Sequence, residues 1–182
     1  VDARKKSDVR IIYTVDVAVK GREDKILKMA HCQKASIAQD YTYSVPQPAA
    51  LPARRPVIAG FGPAGMFAAL VLSMAGLRPI VLERGQDAKT RHEKVLRFWQ
   101  TGELDPDCNV QFGEGGAGTF SDGKLNTGVK NERIGWILEQ FAEAGASADI
   151  LYDAKPHIGT DELVTVVQNL REKIQHYGGE VQ

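Results

Sequence analysis

The chain is poor in cysteine: Cys32 and Cys108 are its only thiols among 182 residues, and no CxxC spacing joins them. That excludes a sequence-local redox disulfide and a cysteine-built zinc set, and it fits a reducing, cytoplasmic compartment. A net charge is also lacking, because 23 basic and 23 acidic residues cancel. Nucleic acid and anionic membrane surfaces are therefore poor candidate partners. The N-terminus carries no basic-plus-apolar leader. Charge is absent altogether from Pro56 to Leu77, 22 positions that approach the roughly 20 needed to cross a bilayer. Four glycines and two prolines interrupt that run, so no membrane span is expected there.

The uncharged run is instead patterned as a unit. Val57-Ile58-Ala59 reads as a short buried strand, followed by the turn Gly60-Phe61-Gly62-Pro63-Ala64-Gly65. An apolar helix from Pro63 to Ala75 comes next, expected to lie between the sheet and another layer, with Gly76 as its stop. A second buried strand, Pro79 to Leu82, ends in Glu83. Strand, glycine turn, helix, strand and terminal acid follow one another in the order of a dinucleotide-binding unit. Gly60 permits the tight turn, Gly62 lets backbone approach a pyrophosphate, and Gly65 lets the helix lie close to the strand. The free N–H groups and the positive dipole end of that helix would face the anion. Glu83 lies 18 residues after Gly65, near the roughly 20 expected for an acid on a ribose. Its charge would repel a 2′-phosphate, which disfavours NADP but leaves FAD and NAD both open.

The rest of the chain is read more coarsely. Residues 9 to 20 alternate in polarity and predict a half-buried strand; Glu23 to Ala30 predicts a short helix, and Asp40 to Val45 a strand. Together they suggest a small α+β module over 1–50, ending in the proline-rich linker Pro46 to Arg55. The segment 51–182 is then the nucleotide-binding domain. A helix is expected from Ala88 to Gln100. Within it the residues alone read Arg91 as a solvated charge and His92 as a surface residue. Gly113 to Lys124 holds five glycines with Thr119, Ser121 and Asp122 between them. It is either a cofactor-facing loop turning N–H groups toward an anion or flavin edge, or a flexible surface loop. Asn131 to Ala144 predicts an amphipathic helix stopped by Gly145, and Asp149 to Tyr152 a strand. Thr160 is expected to cap a helix to Tyr177 whose buried stripe is Leu163, Val167, Leu170, Ile174 and Tyr177. His157 is a loop residue near that cap. The end at Val181-Gln182, where a strand should begin, predicts a piece of a longer protein.

Several segments carry a family resemblance. Gly60-x-Gly62-x-x-Gly65-x-x-x-Ala69-x-x-Leu72-x-x-x-Gly76-x-x-x-Ile80-Val81-x-Glu83, with Arg84 behind it, resembles the FAD fingerprint of two-domain, glutathione-reductase-like flavoproteins. Phe112 to Leu125 and Pro156 to Asp161 resemble one branch, the bacterial, largely uncharacterised FAD-dependent dehydrogenases. The resemblance implies a partial Rossmann-like FAD/NAD(P)-binding domain of an FAD-dependent oxidoreductase. Gly60, Gly62, Pro63, Ala64 and Gly65 would cradle phosphate, with Glu83 on the ribose and Arg84 and Arg91 nearby. Gly115, Gly116, Gly118, Thr119, Ser121 and Asp122 would approach from a second direction. It further implies a small-molecule substrate and NAD(P)H as a candidate electron donor; no residue pair stands out as catalytic and no metal set as a centre. An NAD-dependent dehydrogenase and a module in which FAD is structural or regulatory share the same motif.

Overall fold

A computed structural model describes residues 2–38 and 42–182. The chain forms two compact units, Val1–Tyr41 and Thr42–Gln182. The expected boundary near 50 lies inside the second, where Tyr43 packs edge-on against Trp136, ring centroids 5.2 Å apart.

In the first unit the predicted helix is present as α1, Glu23–Ala30, and it buries no residue. The predicted strand over 9–20 is not formed. Its alternating side chains are all exposed, from 38 % at Val19 to 76 % at Tyr13. Among the described residues its one ladder contact is the isolated bridge between Asp2 and Arg10. Period-two polarity makes a strand only where a partner takes up the backbone groups and a layer covers the apolar face. The strand expected over 40–45 falls partly outside the described residues, and 42–45 are irregular.

The second unit is mixed α/β, built on a three-stranded parallel sheet. Strand β1 (Val57–Ala59) pairs with β2 (Ile80–Leu82), which pairs with β3 (Glu180–Val181). The first crossover is α2 (Pro63–Met74); the second includes α3 (Ala88–Thr101), α4 (Arg133–Glu143) and α5 (Thr160–His176). Helix α2 starts at Pro63, whose missing N–H costs nothing at a first-turn position, and it ends on Gly76 at φ 76°. Leu77 N–H reaches back to the Leu72 carbonyl to close the end. Asp87 caps α3 by accepting from the N–H groups of Lys89 and Thr90, both 3.1 Å. The core gathers Met66 and Leu70 of α2, Val81 of β2, Phe141 of α4, and Val166, Leu170 and Ile174 of α5. Helix α2 touches β1, β2 and α5, and its Phe67 packs edge-on against Phe141 at 5.2 Å.

Four expectations need correction. Strand β1 exists but is not buried: Val57 is 62 % exposed, because β1 lies at a sheet edge and only Ile58 turns toward the core. Residues 148–151 form a 3₁₀ turn instead of a strand, since Ser147 accepts from the Asp149 N–H and curls the chain while Ile150 anchors it inside. Thr160 is the first residue of α5, with Gly159 as its cap; the Thr160 hydroxyl donates to the Ser121 carbonyl instead. Tyr177 falls off the buried stripe, which holds Val166 in addition to Leu163, Val167, Leu170 and Ile174.

Candidate functional site

Three glycine-bearing segments converge at the carboxyl ends of β1 and β2. The first is the turn 60–65. Gly60 has φ +89°, a left-handed conformation that side chains resist. At Gly65 a Cβ would stand 2.0 Å from the Gly60 carbonyl oxygen, so only glycine lets α2 begin this close to β1. Gly62 differs from both. Its φ is −75°, and an added Cβ would find only Gly116 Cα, at 3.8 Å. The protein's own packing and backbone therefore do not require glycine at 62.

The second segment begins at Glu83, at the carboxyl end of β2. One carboxylate oxygen accepts from the Phe61 N–H at 2.6 Å, the other from the Gly85 N–H at 2.9 Å. The acid thus ties the glycine turn to the chain leaving β2. Arg84 stacks over the Phe112 ring at 3.7 Å and lies 3.5 Å from Asp107.

The third segment is the loop 113–124, which is partly buried: Gly113, Glu114, Gly115, Thr119 and Gly123 lie inside. Gly115 N–H donates to the Phe61 carbonyl at 2.8 Å, and a Cβ on Gly116 would come 3.0 Å from Gly62 Cα. Gly113 packs under Gly85, where a Cβ would meet Gly113 Cα at 2.4 Å. Gly118 lies near Pro63. Thr119 is buried beneath the loop with its hydroxyl unpartnered among the described residues. Ser121 bonds the Gly118 carbonyl, and Asp122 pairs with Lys124 at the surface. The far end of the loop pairs antiparallel with the chain before α5, through Ile158 N–H to Gly123 and Leu125 N–H to Pro156. The two segments that carry the narrower family resemblance are therefore neighbours.

Arg91 is not solvated; it is fully buried. Its Nε donates to the Asn109 carbonyl, Nη2 to Val110, and Nη1 to Gly113, Glu114 and Gly116. Burial pulls its pKa below the usual arginine value, while Cys108, Glu83 and Glu114 push the other way. His92 is half-buried and stacks on Phe120 at 6.0 Å, and His157 is exposed.

Two residues not singled out in the sequence complete the site. Glu114 is 2 % exposed; its Oε2 accepts from the Ala88 N–H at 2.6 Å and from Arg171 at 3.2 Å, and its Oε1 has no partner among the described residues. Burial raises the Glu114 pKa; Ala88 N–H and Arg171 oppose the shift, and Asp87 and Glu83 add to it. A carboxylate set directly between two glycines, Gly113 and Gly115, is the signal that marks Glu114 in the sequence; nothing local marks Arg171 on α5. With Glu83, Asp87, Gln175 and Gln182 these two line a cleft of about 340 Å³.

The first-turn N–H groups of Ala64 and Gly65 have no acceptor among the described residues, and no side chain caps this helix. An α2 N-terminus closed by neither side chain nor carbonyl, a carboxylate at the end of β2 and a polar cleft beside it can hold a ligand with an anionic centre and hydroxyl groups. No group of His, Cys, Asp and Glu suited to a metal ion occurs among the described residues, and no described helix is long and apolar enough to cross a membrane.

No family model matches the chain. Over all 182 residues it is 47 % identical to an uncharacterized protein of Clostridium beijerinckii, and it spans about a third of that relative's length, 34 %.

Proposed function

We propose that this chain carries the adenosine and pyrophosphate part of an FAD site in a dehydrogenase-type flavoprotein oxidoreductase, and that its parallel sheet is part of a Rossmann-like domain. The observation that carries the reading is the contrast among three glycines. Gly60 is accounted for by its positive φ and Gly65 by a backbone collision, whereas Gly62 meets no close contact among the described residues. A glycine unneeded by the fold, at the cap of a helix whose first N–H groups lack acceptors, fits a close-lying phosphate.

The residues fit the group. Ala64 and Gly65 would donate backbone N–H groups to the pyrophosphate, with Gly62 and Gly116 leaving the approach clear. Glu83 engages one backbone N–H per oxygen, so each oxygen keeps a lone pair for a ribose hydroxyl. Carboxylates at Glu83 and Asp87 in the cleft disfavour a 2′-phosphate, while Glu114 is paired with Arg171. The preference for FAD over NAD rests on the resemblance of 112–125 and 156–161. When bound, the flavin supplies hydride or electron transfer, and the chain's residues hold and orient it. NAD(P)H as donor, a small-molecule substrate and a cytoplasmic setting belong to the same proposal.

Calorimetric titration of the intact protein with FAD and with NAD tests it. FAD should bind, and Gly62→Val should lose that binding, because a branched side chain fills the phosphate approach. Binding of NAD alone would replace FAD with the nicotinamide cofactor; unimpaired FAD binding by Gly62→Val would reduce the turn to scaffolding. Bleaching of the bound flavin by NADH or NADPH would favour an oxidoreductase over a structural flavin.

A further inference from the structure

Resting on that reading, we propose that Arg91 is a positioning residue: it sets the backbone of 109–117 against the glycine turn and does not itself ligate the phosphate. Five carbonyls, from Asn109, Val110, Gly113, Glu114 and Gly116, accept from one guanidinium that is 0 % exposed. At least four of its five N–H donors are thereby engaged inside the protein.

The consequence follows from the planarity of the trans peptide, which aims each N–H opposite the carbonyl of the same unit. With the Glu114 carbonyl drawn to Arg91, the Gly115 N–H faces away and donates to the Phe61 carbonyl at 2.8 Å. The Phe61 N–H is held in turn by Glu83. The turn 60–65 is therefore fixed from both sides, by an acid at the end of β2 and by a loop that Arg91 shapes. With the Gly116 carbonyl also drawn inward, the Ala117 N–H is directed away from Arg91 and has no acceptor among the described residues. Gly116 itself abuts Gly62 and Pro63. Arg91 thus leaves the Ala117 N–H free, next to the turn that carries the free N–H groups of α2.

The glycines of the loop match this role. Gly113 has φ +123°, and a Cβ there would stand 2.5 Å from Arg91 Cδ. Phe120 closes the other side, its ring centre 4.7 Å from the guanidinium carbon. Lysine would keep the charge but cannot span five carbonyls in one plane.

The test compares Arg91→Lys, Arg91→Met and Gly113→Ala in the intact protein. Hydrogen exchange is measured without cofactor, and FAD affinity at low and high ionic strength. All three variants should lose protection over 109–118 while the amides around Leu170 in α5 stay protected. FAD affinity should fall about tenfold or more in each, lysine being no better than methionine, and its salt dependence should remain that of the parent. Gly113→Ala matters because it displaces the guanidinium while leaving the arginine in place, so it reads the loop even where an Arg91 variant unfolds. Recovery of affinity by lysine alone, with a flattened salt dependence in methionine, would make Arg91 a direct phosphate contact and overturn the proposal. Unchanged protection over 109–118 in the variants would overturn it as well. A parent protein that binds no FAD would sink the cofactor reading instead, and the exchange measurement would still decide whether Arg91 organises the loop.

Discussion

The two glycine-rich segments, 60–65 and 113–124, look alike in composition and are held by different means. In the first the constraint is local: Gly65 answers to the carbonyl of Gly60, five residues earlier. In the second, partners distant in sequence dominate, although Gly115 also lies against Thr119 four residues on. Gly113 makes room for Arg91 of α3, Gly115 bonds Phe61, and a Cβ on Gly123 would stand 1.8 Å from the Ile158 carbonyl oxygen. A local turn is set by short-range backbone geometry, so its shape can be written down from residue types. A loop folded around a buried cation takes its shape from partners that spacing does not reveal.

The largest expected effects break the two segments by their closest contacts. Gly65→Ala and Gly123→Ala each drive a Cβ into a backbone carbonyl, and at Gly123 the φ of +67° adds strain. Each should cost about 3 kcal/mol or more in urea unfolding, the range of buried overpacking and backbone strain. A Gly65→Ala protein of parental stability would mean that α2 does not start this close to β1. A tolerated Gly123→Ala would uncouple the loop from the segment leading into α5.

Next comes the acid that joins the segments. In Glu83→Gln one oxygen survives to accept from the Phe61 N–H, but the new amide nitrogen faces the Gly85 N–H, donor against donor. Loss of a charged acceptor for a partly buried N–H should cost about 1–3 kcal/mol and weaken FAD binding about tenfold. Parental values for both quantities would remove Glu83 from the junction.

How much of this was legible follows the same division. Helices α1 to α5 and the strand ends at Ala59 and Leu82 follow from periodicity and punctuation: Pro63 at the start of α2, and Gly76 and Gly145 after helices. The turn at 148–151 is a local miss, set by Ser147, whereas the others share a cause, because each depends on what lies across from the segment. Residues 9–20 have strand polarity without a strand partner, and β1 has buried composition at an exposed sheet edge. Arg91 sits among Lys89, His92, Glu93 and Lys94, a setting that reads as solvated until the loop carbonyls close over it. Glu114 and Arg171 are separated by two helices' worth of chain, and no short motif joins them.

The carboxylates of the cleft sharpen the comparison through pH. Burial raises the Glu114 pKa, so the folded state holds its proton more tightly than the unfolded chain does. Its contribution to stability is full below the ordinary glutamate value and is lost as pH rises through the elevated folded value. Asp87 runs the opposite way. Burial alone would raise its pKa, but the Thr90 hydroxyl and the Thr90 and Lys89 N–H groups lower it overall. Its contribution is present above the ordinary aspartate value and lost as pH falls through the depressed one. Glu114→Gln keeps an oxygen for the Ala88 N–H and cannot ionise. Relative to the parent it should gain stability as pH rises above the ordinary glutamate value. Parallel stability–pH curves for the two proteins would show that Glu114 is not held in a desolvating site.

The smallest expected effect on stability carries the sharpest functional contrast. Gly62→Ala places a Cβ at ordinary van der Waals distance from Gly116 Cα, at a φ of −75° that any residue adopts. Unfolding free energy should change by no more than about 0.5 kcal/mol, since no collision arises and the unfolded chain loses some of glycine's freedom. Its neighbour in the motif, Gly65, should fail the same substitution by several-fold more. If the proposed reading holds, FAD affinity should nonetheless fall, because the added methyl occupies backbone surface that a pyrophosphate must approach. Urea unfolding and FAD titration of one variant therefore separate the two reasons for a glycine. A Gly62→Ala protein destabilised as severely as Gly65→Ala would show that glycine at 62 serves the fold, and the case for a phosphate there would lose its main support.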